Sequence, residues 1–280
     1  MKTRIIAAVA LLPLLLIVVI VLPAIYTAIL MAALCAIGAY ELLYNTGYVK
    51  HPRLLAYTML FAALVSFWCY AGRPYDWGLA GLMVFCCALF GELLWSKAKL
   101  PFSKILVCIV GGLIIPFLLC SIVRIRRFYL GHIFVLLPFI IAFSADTGAY
   151  FAGKFLGKHP LAPSISPKKT VEGFFGGIAS GVLGVIIFSL VLLLGYDLKV
   201  NFFYGIVYGI IGSLISVMGD LTFSVIKRQV GLKDYGNLIP GHGGVLDRFD
   251  SACLVAPATE ALMLIIPLAE VSVLSISIVS

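Results

Sequence analysis

Apolar residues along this chain form long, nearly unbroken runs that are separated by short polar stretches. Each run is about 20 residues long, which is the length that an α-helix needs to cross the hydrocarbon core of a bilayer. Lipid offers no partner to backbone N–H and C=O groups, so a chain that crosses it repeatedly does so as helices. The pattern therefore predicts an all-α, polytopic membrane protein with about nine transmembrane helices. The predicted spans are residues 4–22, 24–44, 54–71, 77–95, 103–122, 132–152, 173–195, 202–223 and 251–272.

Composition supports the membrane assignment and excludes an ordinary soluble domain. Apolar residues make up 62% of the chain and charged residues 11%, whereas soluble domains are about half apolar and about a quarter charged. The seven cysteines lie in or beside apolar runs, and none forms a CxxC pair. We interpret them as small packing residues, which argues against a disulfide framework or a zinc site.

The charge of the loops predicts the orientation of the chain. With the N-terminus in the cytoplasm, fifteen of the 20 lysines and arginines fall on the cytoplasmic side and five on the other. Cytoplasmic loops usually carry such an excess. Arg124, Arg126 and Arg127 oppose the bias, which indicates either contacts to lipid headgroups or misplaced fifth and sixth spans.

Polar residues are distributed unevenly between the two halves of the chain. Residues 1–131 are predicted to be N-terminal transmembrane helices with few polar side chains in their spans. Residues 132–280 are predicted to be the catalytic transmembrane region, with two cytoplasmic polar loops at 144–173 and 219–251. Glycines recur at every fourth position from Gly173 to Gly181, a spacing that favours close packing of helices.

Two aspartates, Asp146 and Asp220, interrupt otherwise apolar segments. A carboxylate at membrane depth is costly and usually faces a cavity or a charged partner. Each is therefore either a cation ligand or the buried partner of a lysine or arginine, and the sequence favours the ligand role for both.

Asp247 and Asp250 are three residues apart, a spacing that places both on one face if the segment is helical. Together with Asp220 they could form a cluster of oxygen ligands of the kind that binds Mg²⁺. A solvated acidic helix start is the alternative. It does not explain why the acids alternate with Arg248 and follow a glycine loop.

The glycine loop at residues 240–244 is nearly free of side chains and is followed by a predicted helix. Backbone N–H groups in such loops can approach an anion, although a tight turn alone would also need glycine. Basic residues surround the loop in sequence, and Ser166-Pro-Lys-Lys-Thr170 adds a second basic, hydroxyl-rich turn. Acids for a metal and bases for phosphate oxygens are what a metal–polyphosphate substrate requires. No GxxxxGK[ST] motif is present, and no Ser-His-Asp arrangement is evident.

The stretch Ser224–Asp250, SVIKRQVGLKDYGNLIPGHGGVLDRFD, resembles the signature of the phosphatidate cytidylyltransferase (CDP-diacylglycerol synthase) family. The segment from Asp146 to Gly173 is also similar, including its Ser-Pro-Lys-Lys-Thr element. One departure is Val171, where the family commonly has tryptophan; this affects packing more than chemistry. The resemblance is specific over residues 146–251.

The resemblance implies an enzyme that transfers the cytidylyl group of CTP to phosphatidic acid, giving CDP-diacylglycerol and pyrophosphate in phospholipid biosynthesis. The implied catalytic residues are Lys168, Asp220 and Asp247. The implied ligands of Mg²⁺, with room for a second cation, are Asp146, Asp220, Asp247 and Asp250. The implied substrate-binding residues are Ser166, Lys169, Lys227, Arg228, His242, Gly243, Gly244 and Arg248.

The resemblance further implies a bacterial inner-membrane location, an active site facing the cytoplasm and no nucleic-acid partner. A homodimer is compatible with the sequence, which does not fix the oligomeric state. Within enzymes, a CTP-dependent kinase of a membrane polyprenol or phytol is the nearest alternative, and the spacing in Ser224–Asp250 favours the cytidylyltransferase. A carrier is less favoured, because the polar residues gather on one face and no internal repeat is visible.

Overall fold

The computed structural model describes residues 13–72, 76–97, 99–238, 241 and 243–270, and 76% of these residues are helical. A π-helical segment, Ile17–Val21, comes first, and the next helix continues as a π-helical turn at Glu41–Asn45. The helices are α1 (Ala24–Tyr40), α2 (Pro52–Ala71), α3 (Asp76–Trp95), α4 (Phe102–Ile109), α5 (Ile115–Leu119), α6 (Ser121–Arg126), α7 (Gly131–Phe134), α8 (Leu137–Leu156), α9 (Val171–Tyr196), α10 (Phe202–Gln229), α11 (Leu246–Phe249) and α12 (Ala252–Ile265). The strands are β1 (Pro160–Ala162), β2 (Ser166–Thr170), β3 (Lys199–Val200) and β4 (Ala269–Glu270).

Among the described residues, seven helical segments are long and apolar enough to cross a membrane, so the chain is an all-α, polytopic membrane protein. They are Ala24–Asn45, Pro52–Ala71, Asp76–Trp95, Phe102–Arg126, Gly131–Leu156, Val171–Tyr196 and Phe202–Gln229. These correspond to the seven predicted spans from 24–44 to 202–223, which are thereby confirmed.

The total of nine spans stays a prediction. Residues 4–12 of the predicted span 4–22 lie outside the described residues, and residues 13–21 are helical. The predicted span 251–272 corresponds to α12, which has 14 residues with Pro257 inside it. A helix of that length rises about 21 Å at 1.5 Å per residue, short of the hydrocarbon thickness of about 30 Å.

The chain divides into two compact units. Unit 1 comprises Met1–Arg126 and Gln229–Phe249, and unit 2 comprises Arg127–Arg228 and Asp250–Ser280. The functional division at residues 131 and 132 stays a prediction.

Unit 1 contains the arginines that oppose the charge bias, and two of them bind the protein itself. Arg124 donates to the carbonyl oxygen of Phe117 at 3.0 Å and to Ser121 Oγ at 2.6 Å. Arg126 donates to the carbonyl oxygens of Val19 at 2.8 Å and Leu22 at 2.9 Å. Both arginines therefore satisfy backbone carbonyl groups within the protein, whereas the sequence offered headgroup contacts or misplaced spans as explanations.

Unit 2 is built around the close packing of α8 against α9, which the glycine spacing predicted. A Cβ atom on Gly173 would lie 2.8 Å from the carbonyl oxygen of Ala149, and one on Gly177 would lie 2.9 Å from that of Ala145. Real Cβ atoms do not approach a backbone this closely, so only glycine permits the observed separation. The prediction of close helix packing is confirmed, and this contact fixes α8, which carries Asp146.

A short hairpin joins α8 to α9. The segment 166–170, expected to be a turn, forms strand β2 and pairs antiparallel with β1, with Pro160 opposite Thr170 and Ala162 opposite Ser166. Oγ1 of Thr170 accepts a hydrogen bond from the Gly173 N–H at 3.1 Å. This is an N-cap, which stabilises a helix by about 1 kcal/mol, and it fixes the start of α9 directly after Lys168 and Lys169.

Candidate functional site

The most polar part of unit 2 is centred on Asp220, in α10. Oδ2 of Asp220 lies 2.5 Å from Nζ of Lys169, and Oδ1 accepts a hydrogen bond from Ser224 Oγ at 3.2 Å. Ser224 is one turn further along α10, whereas Lys169 comes from strand β2. A strand and a helix thus bring together the two predicted site residues Lys169 and Asp220, which are 51 positions apart in sequence.

Two further acids interact with this pair. The charge of Asp146, in α8, is repelled by Asp220 and attracted by Lys169. Burial, followed by the charge of Asp220, raises the pKa of Asp250 to about 7, while the Ser251 N–H and Lys227 act in the opposite direction. Three of the four predicted metal ligands, Asp146, Asp220 and Asp250, thus lie within electrostatic reach of one another.

Close backbone packing brings Asp250 to this cluster. A Cβ atom on Gly219 would lie 2.8 Å from the carbonyl oxygen of Asp250 and 3.2 Å from Cα of Ser251. The glycine before Asp220 therefore lets α10 approach the segment that begins α12. In Gly219-Asp220, the glycine thus permits close backbone packing, and the aspartate supplies the charge.

The predicted basic residues of unit 2 differ in exposure. Lys227 is buried, with 8% of its surface exposed, and its charge acts on Asp250. Arg228 is exposed and donates from Nε to the carbonyl oxygen of Ile165 at 3.4 Å, next to strand β2. Lys168 is exposed, and Ser166 is partly buried in β2. Lys169 and Lys227 therefore neutralise the acids, and Lys168 and Arg228 lie at the surface of the same unit.

The predicted polar loops are partly helical. The segment 144–156 continues α8, and residues 219–229 complete α10. Helix α11 ends at Phe249 and does not include Asp250, so the condition under which the two acids would share one helix face is not met.

Asp247 belongs to unit 1 and is buried, with 7% of its surface exposed. Its Oδ2 atom accepts backbone N–H groups of Tyr235 at 2.8 Å and Gly244 at 2.9 Å. These bonds tie two ends of one loop together. Asp247 thus stabilises the loop, in addition to the metal-binding and catalytic roles that the resemblance implies.

The glycine loop adopts backbone conformations that other residues avoid. Gly241 and Gly243 have φ angles of 76° and 86°, a region that glycine enters without steric cost. A Cβ atom on Gly243 would also lie 2.9 Å from Oδ2 of Asp247. Arg248 is exposed at the end of the loop. His242 lies outside the described residues.

A carboxylate that the sequence reasoning missed lies against this loop. Glu41, at the end of the first described span, is 2% exposed and accepts the N–H groups of Val245 and Leu246 at 2.9 Å each. One turn later, Asn45 donates from Nδ2 to the carbonyl oxygen of Tyr235 at 2.7 Å. An acid within an apolar span was the available signal, but nothing in the sequence related it to residues some two hundred positions away.

The chemistry of the acids in unit 2 suits a hard cation. Carboxylate oxygens are the ligands that Mg²⁺ prefers. Burial is the main cause of the raised pKa of Asp250; Asp220 and Asp146 act in the same direction, and Lys227 acts against them. A bound cation would offset the repulsion among these acids. In the part of the chain that the structure describes, no three such side chains are already grouped closely enough to hold an ion, so the fit to Mg²⁺ rests on the residue types alone.

The fold and the polar cluster define a helical membrane protein in which acidic and basic side chains gather around Asp220. A family model described as the Cytidylyltransferase family matches residues 2–266, and the chain belongs to that family.

Individual relatives extend the likeness over most of the chain. A phosphatidate cytidylyltransferase of Haemophilus influenzae is 33% identical over 287 aligned positions, covering 92% of this chain and 96% of the relative. One of Staphylococcus haemolyticus is 33% identical over 247 positions, covering 85% and 90%. One of Staphylococcus epidermidis is 44% identical over 134 positions, and this match spans 48% of the chain and half the length of that relative.

Proposed function

We propose that the chain transfers the cytidylyl group of CTP to phosphatidic acid, giving CDP-diacylglycerol and pyrophosphate. Membership of the Cytidylyltransferase family and the likeness to relatives named phosphatidate cytidylyltransferase support this reaction. The observation that carries the proposal is the cluster in unit 2, where Asp146, Asp220 and Asp250 interact with Lys169 and Lys227. Alternating acids and bases are suited to a metal–triphosphate and a lipid phosphate.

The reaction makes modest demands on general base catalysis. A phosphate monoester has a second pKa of about 6, so the phosphate of phosphatidic acid is already ionised near neutral pH. Its oxygen attacks the α-phosphorus of CTP, and the bond from that phosphorus to the pyrophosphate oxygen breaks. The protein's task is to hold two anions in line and to neutralise the charge that develops on the leaving group.

The basic residues bind the anions in this proposal. Lys168 and Lys169, which follow one another in β2, contact phosphate oxygens together with Lys227 and Arg228 of α10, and Lys168 stabilises the transition state. Ser166 adds a hydroxyl donor to the same strand. Arg248 and the loop residues His242, Gly243 and Gly244 stay predicted as nucleotide-binding residues.

The acids hold the metal in this proposal. Asp146, Asp220 and Asp250 are the ligands of Mg²⁺ that unit 2 supplies, and Asp247 stays predicted as a further ligand. Bound Mg²⁺ would withdraw charge from the triphosphate oxygens. A second cation also stays a prediction.

Purified protein in detergent or nanodiscs tests the reaction directly. With α-labelled CTP, phosphatidic acid and Mg²⁺, we expect labelled CDP-diacylglycerol and one equivalent of pyrophosphate, and neither product without phosphatidic acid. If no CDP-lipid forms and γ-labelled CTP phosphorylates a polyprenol instead, the chain is a CTP-dependent kinase and the proposal is wrong.

We further propose that the chain lies in the bacterial inner membrane with this cluster facing the cytoplasm, where CTP is present. Lys158 and Lys199 are exposed and flank the two ends of α9. A cysteine at position 158 should react with a membrane-impermeant maleimide in inside-out vesicles, and one at position 199 in right-side-out vesicles. Labelling of the unsubstituted protein gives the background, and the opposite pattern would contradict the orientation. Cross-linking in native membranes tests the predicted homodimer.

A further inference from the structure

Glu41 lies inside an apolar helical span, yet both of its carboxylate oxygens contact a loop that is far away in sequence. Oε1 accepts the N–H of Val245 and Oε2 accepts the N–H of Leu246, each at 2.9 Å. The two amides are consecutive, so the carboxylate holds the peptide units on both sides of Val245. A buried charge is costly unless hydrogen bonds compensate it, and these N–H groups, at the start of α11, would otherwise lack an intrahelical partner.

The loop is shaped around this carboxylate. A Cβ atom on Gly236 would lie 2.7 Å from Oε1 of Glu41, and one on Gly244 would collide with both of its oxygens. Position 244 therefore requires glycine so that the loop can pack against Glu41, a role that the prediction of nucleotide binding did not include. Both glycines leave the space that the carboxylate fills.

The contact is next to a residue to which the family resemblance gives a chemical role. Val245 and Leu246 directly precede Asp247, whose Oδ2 atom holds the same loop through Tyr235 and Gly244. Asn45, one turn after Glu41, binds the carbonyl oxygen of Tyr235 at 2.7 Å. The two polar residues at the end of the first described span thus hold both ends of the loop, and Asp247 holds it from within.

We propose that Glu41 is a positioning residue: it fixes the backbone on the N-terminal side of Asp247 and so determines where the side chains of Asp247 and Arg248 lie. The inference rests on the proposed function for the roles of those two residues, but the contact itself does not depend on it. The N-terminal helices then contribute to the geometry of the reaction as well as to membrane anchoring.

Glu41→Gln is the most discriminating variant, because it keeps the shape and replaces one acceptor oxygen by an amino group that faces an N–H donor. Glu92→Gln is the matched control, since Glu92 is also a glutamate in an apolar helix of unit 1 and its side chain contacts Arg53 and Tyr57, at 3.4 Å each. Gly236→Ala perturbs the same carboxylate from the other side without changing its charge.

Hydrogen exchange reports positioning without reference to activity. We expect amide exchange in peptides covering residues 235–249 to be at least tenfold faster in Glu41→Gln and in Gly236→Ala than in the wild type and in Glu92→Gln. Unchanged exchange in both test variants would overturn the inference. If Glu41→Gln does not fold, the result with Gly236→Ala decides.

Kinetics distinguish positioning from a general loss of folded enzyme. We expect Glu41→Gln to raise the KM for CTP and the Mg²⁺ concentration at half-maximal rate by about tenfold, with the KM for phosphatidic acid within twofold of the wild type. A fall in kcat alone, with unchanged KM for CTP and unchanged Mg²⁺ dependence, would indicate a smaller active fraction and would contradict the positioning role. If the wild type forms no CDP-lipid, the proposed function fails, and the exchange result alone decides the inference.

Discussion

Oδ2 of Asp220 and Nζ of Lys169 form an ion pair at 2.5 Å, which joins an acid within a membrane-spanning helix to a base in the hairpin before α9. The sequence had offered two roles for Asp220, a cation ligand or the partner of a base. The structure provides the partner, and the neighbouring acids provide the setting for a ligand. The two roles are compatible, because a lysine that neutralises the acid can move to a phosphate oxygen when a metal–nucleotide binds.

Replacing Asp220 by asparagine tests the ligand role. The variant keeps the shape and the acceptor for Ser224 Oγ but removes the charge, so we expect kcat/KM to fall by at least 100-fold, with normal membrane insertion. Asp197→Asn is the matched control in unit 2: Asp197 is exposed, and its φ of 52° is one that asparagine also tolerates. Near-normal turnover of Asp220→Asn would remove Asp220 from the metal site.

Asp247 has a loop function and a predicted chemical function, and two substitutions separate them. In Asp247→Asn the side-chain oxygen can still accept the N–H groups of Tyr235 and Gly244, whereas Asp247→Ala loses both bonds. If the charge matters for metal binding, both variants lose at least 100-fold in kcat, but only Asp247→Ala is markedly less stable to heat. Full activity of Asp247→Asn would assign Asp247 to the loop alone.

The helical spans could be predicted from the sequence because they depend on local composition. The runs from residue 24 to residue 223 were recognisable by length and hydrophobicity alone, and each is a helix. The break between Asp247 and Asp250 was not predictable in the same way. It depends on α11 ending at Phe249 and on Gly219 admitting the backbone of Asp250, and tertiary packing decides both.

Site residues could be predicted only where several charged or polar residues lie close together along the chain. Asp220, Lys227 and Asp250 stood out because they lie in or beside one dense polar stretch. Glu41 did not stand out, because the sequence around a single acid among apolar residues does not indicate which distant residue it contacts. Its contact with Val245 spans 204 residues and became visible only when the chain was folded.

Close packing of α8 against α9 gives a prediction about stability. A Cβ atom on Gly148 would collide with the side chain of Ser180 and lie 2.7 Å from the carbonyl oxygen of Gly176. We expect Gly148→Ala to destabilise the protein by about 1–3 kcal/mol, the usual cost of overpacking, which should appear as a lower melting temperature in detergent. Gly195→Ala in α9 is the control, since nothing lies within 4 Å of the added methyl group. Equal melting temperatures for the two variants would contradict the packing model.

The raised pKa of Asp250 predicts how stability depends on pH. Its ordinary value is 3.8 and its value in the folded protein is about 7, owing mainly to burial and then to Asp220. Between these values the folded state binds more protons than the unfolded state, so stability falls as pH rises. The contribution of Asp250 is fully favourable below about pH 4 and is lost above about pH 7.

Asparagine at position 250 removes this dependence because it stays neutral. Without divalent cations, we therefore expect Asp250→Asn to melt at a higher temperature than the wild type at pH 8, and the two proteins to differ much less at pH 5. Added Mg²⁺ should reverse the order at pH 8, because a cation stabilises the ionised wild-type carboxylate and has less to bind in the variant. Melting curves at both pH values, with and without Mg²⁺, measure these differences. If Mg²⁺ stabilises both proteins equally at pH 8, Asp250 is not a ligand, and its raised pKa reflects burial beside Asp220 alone.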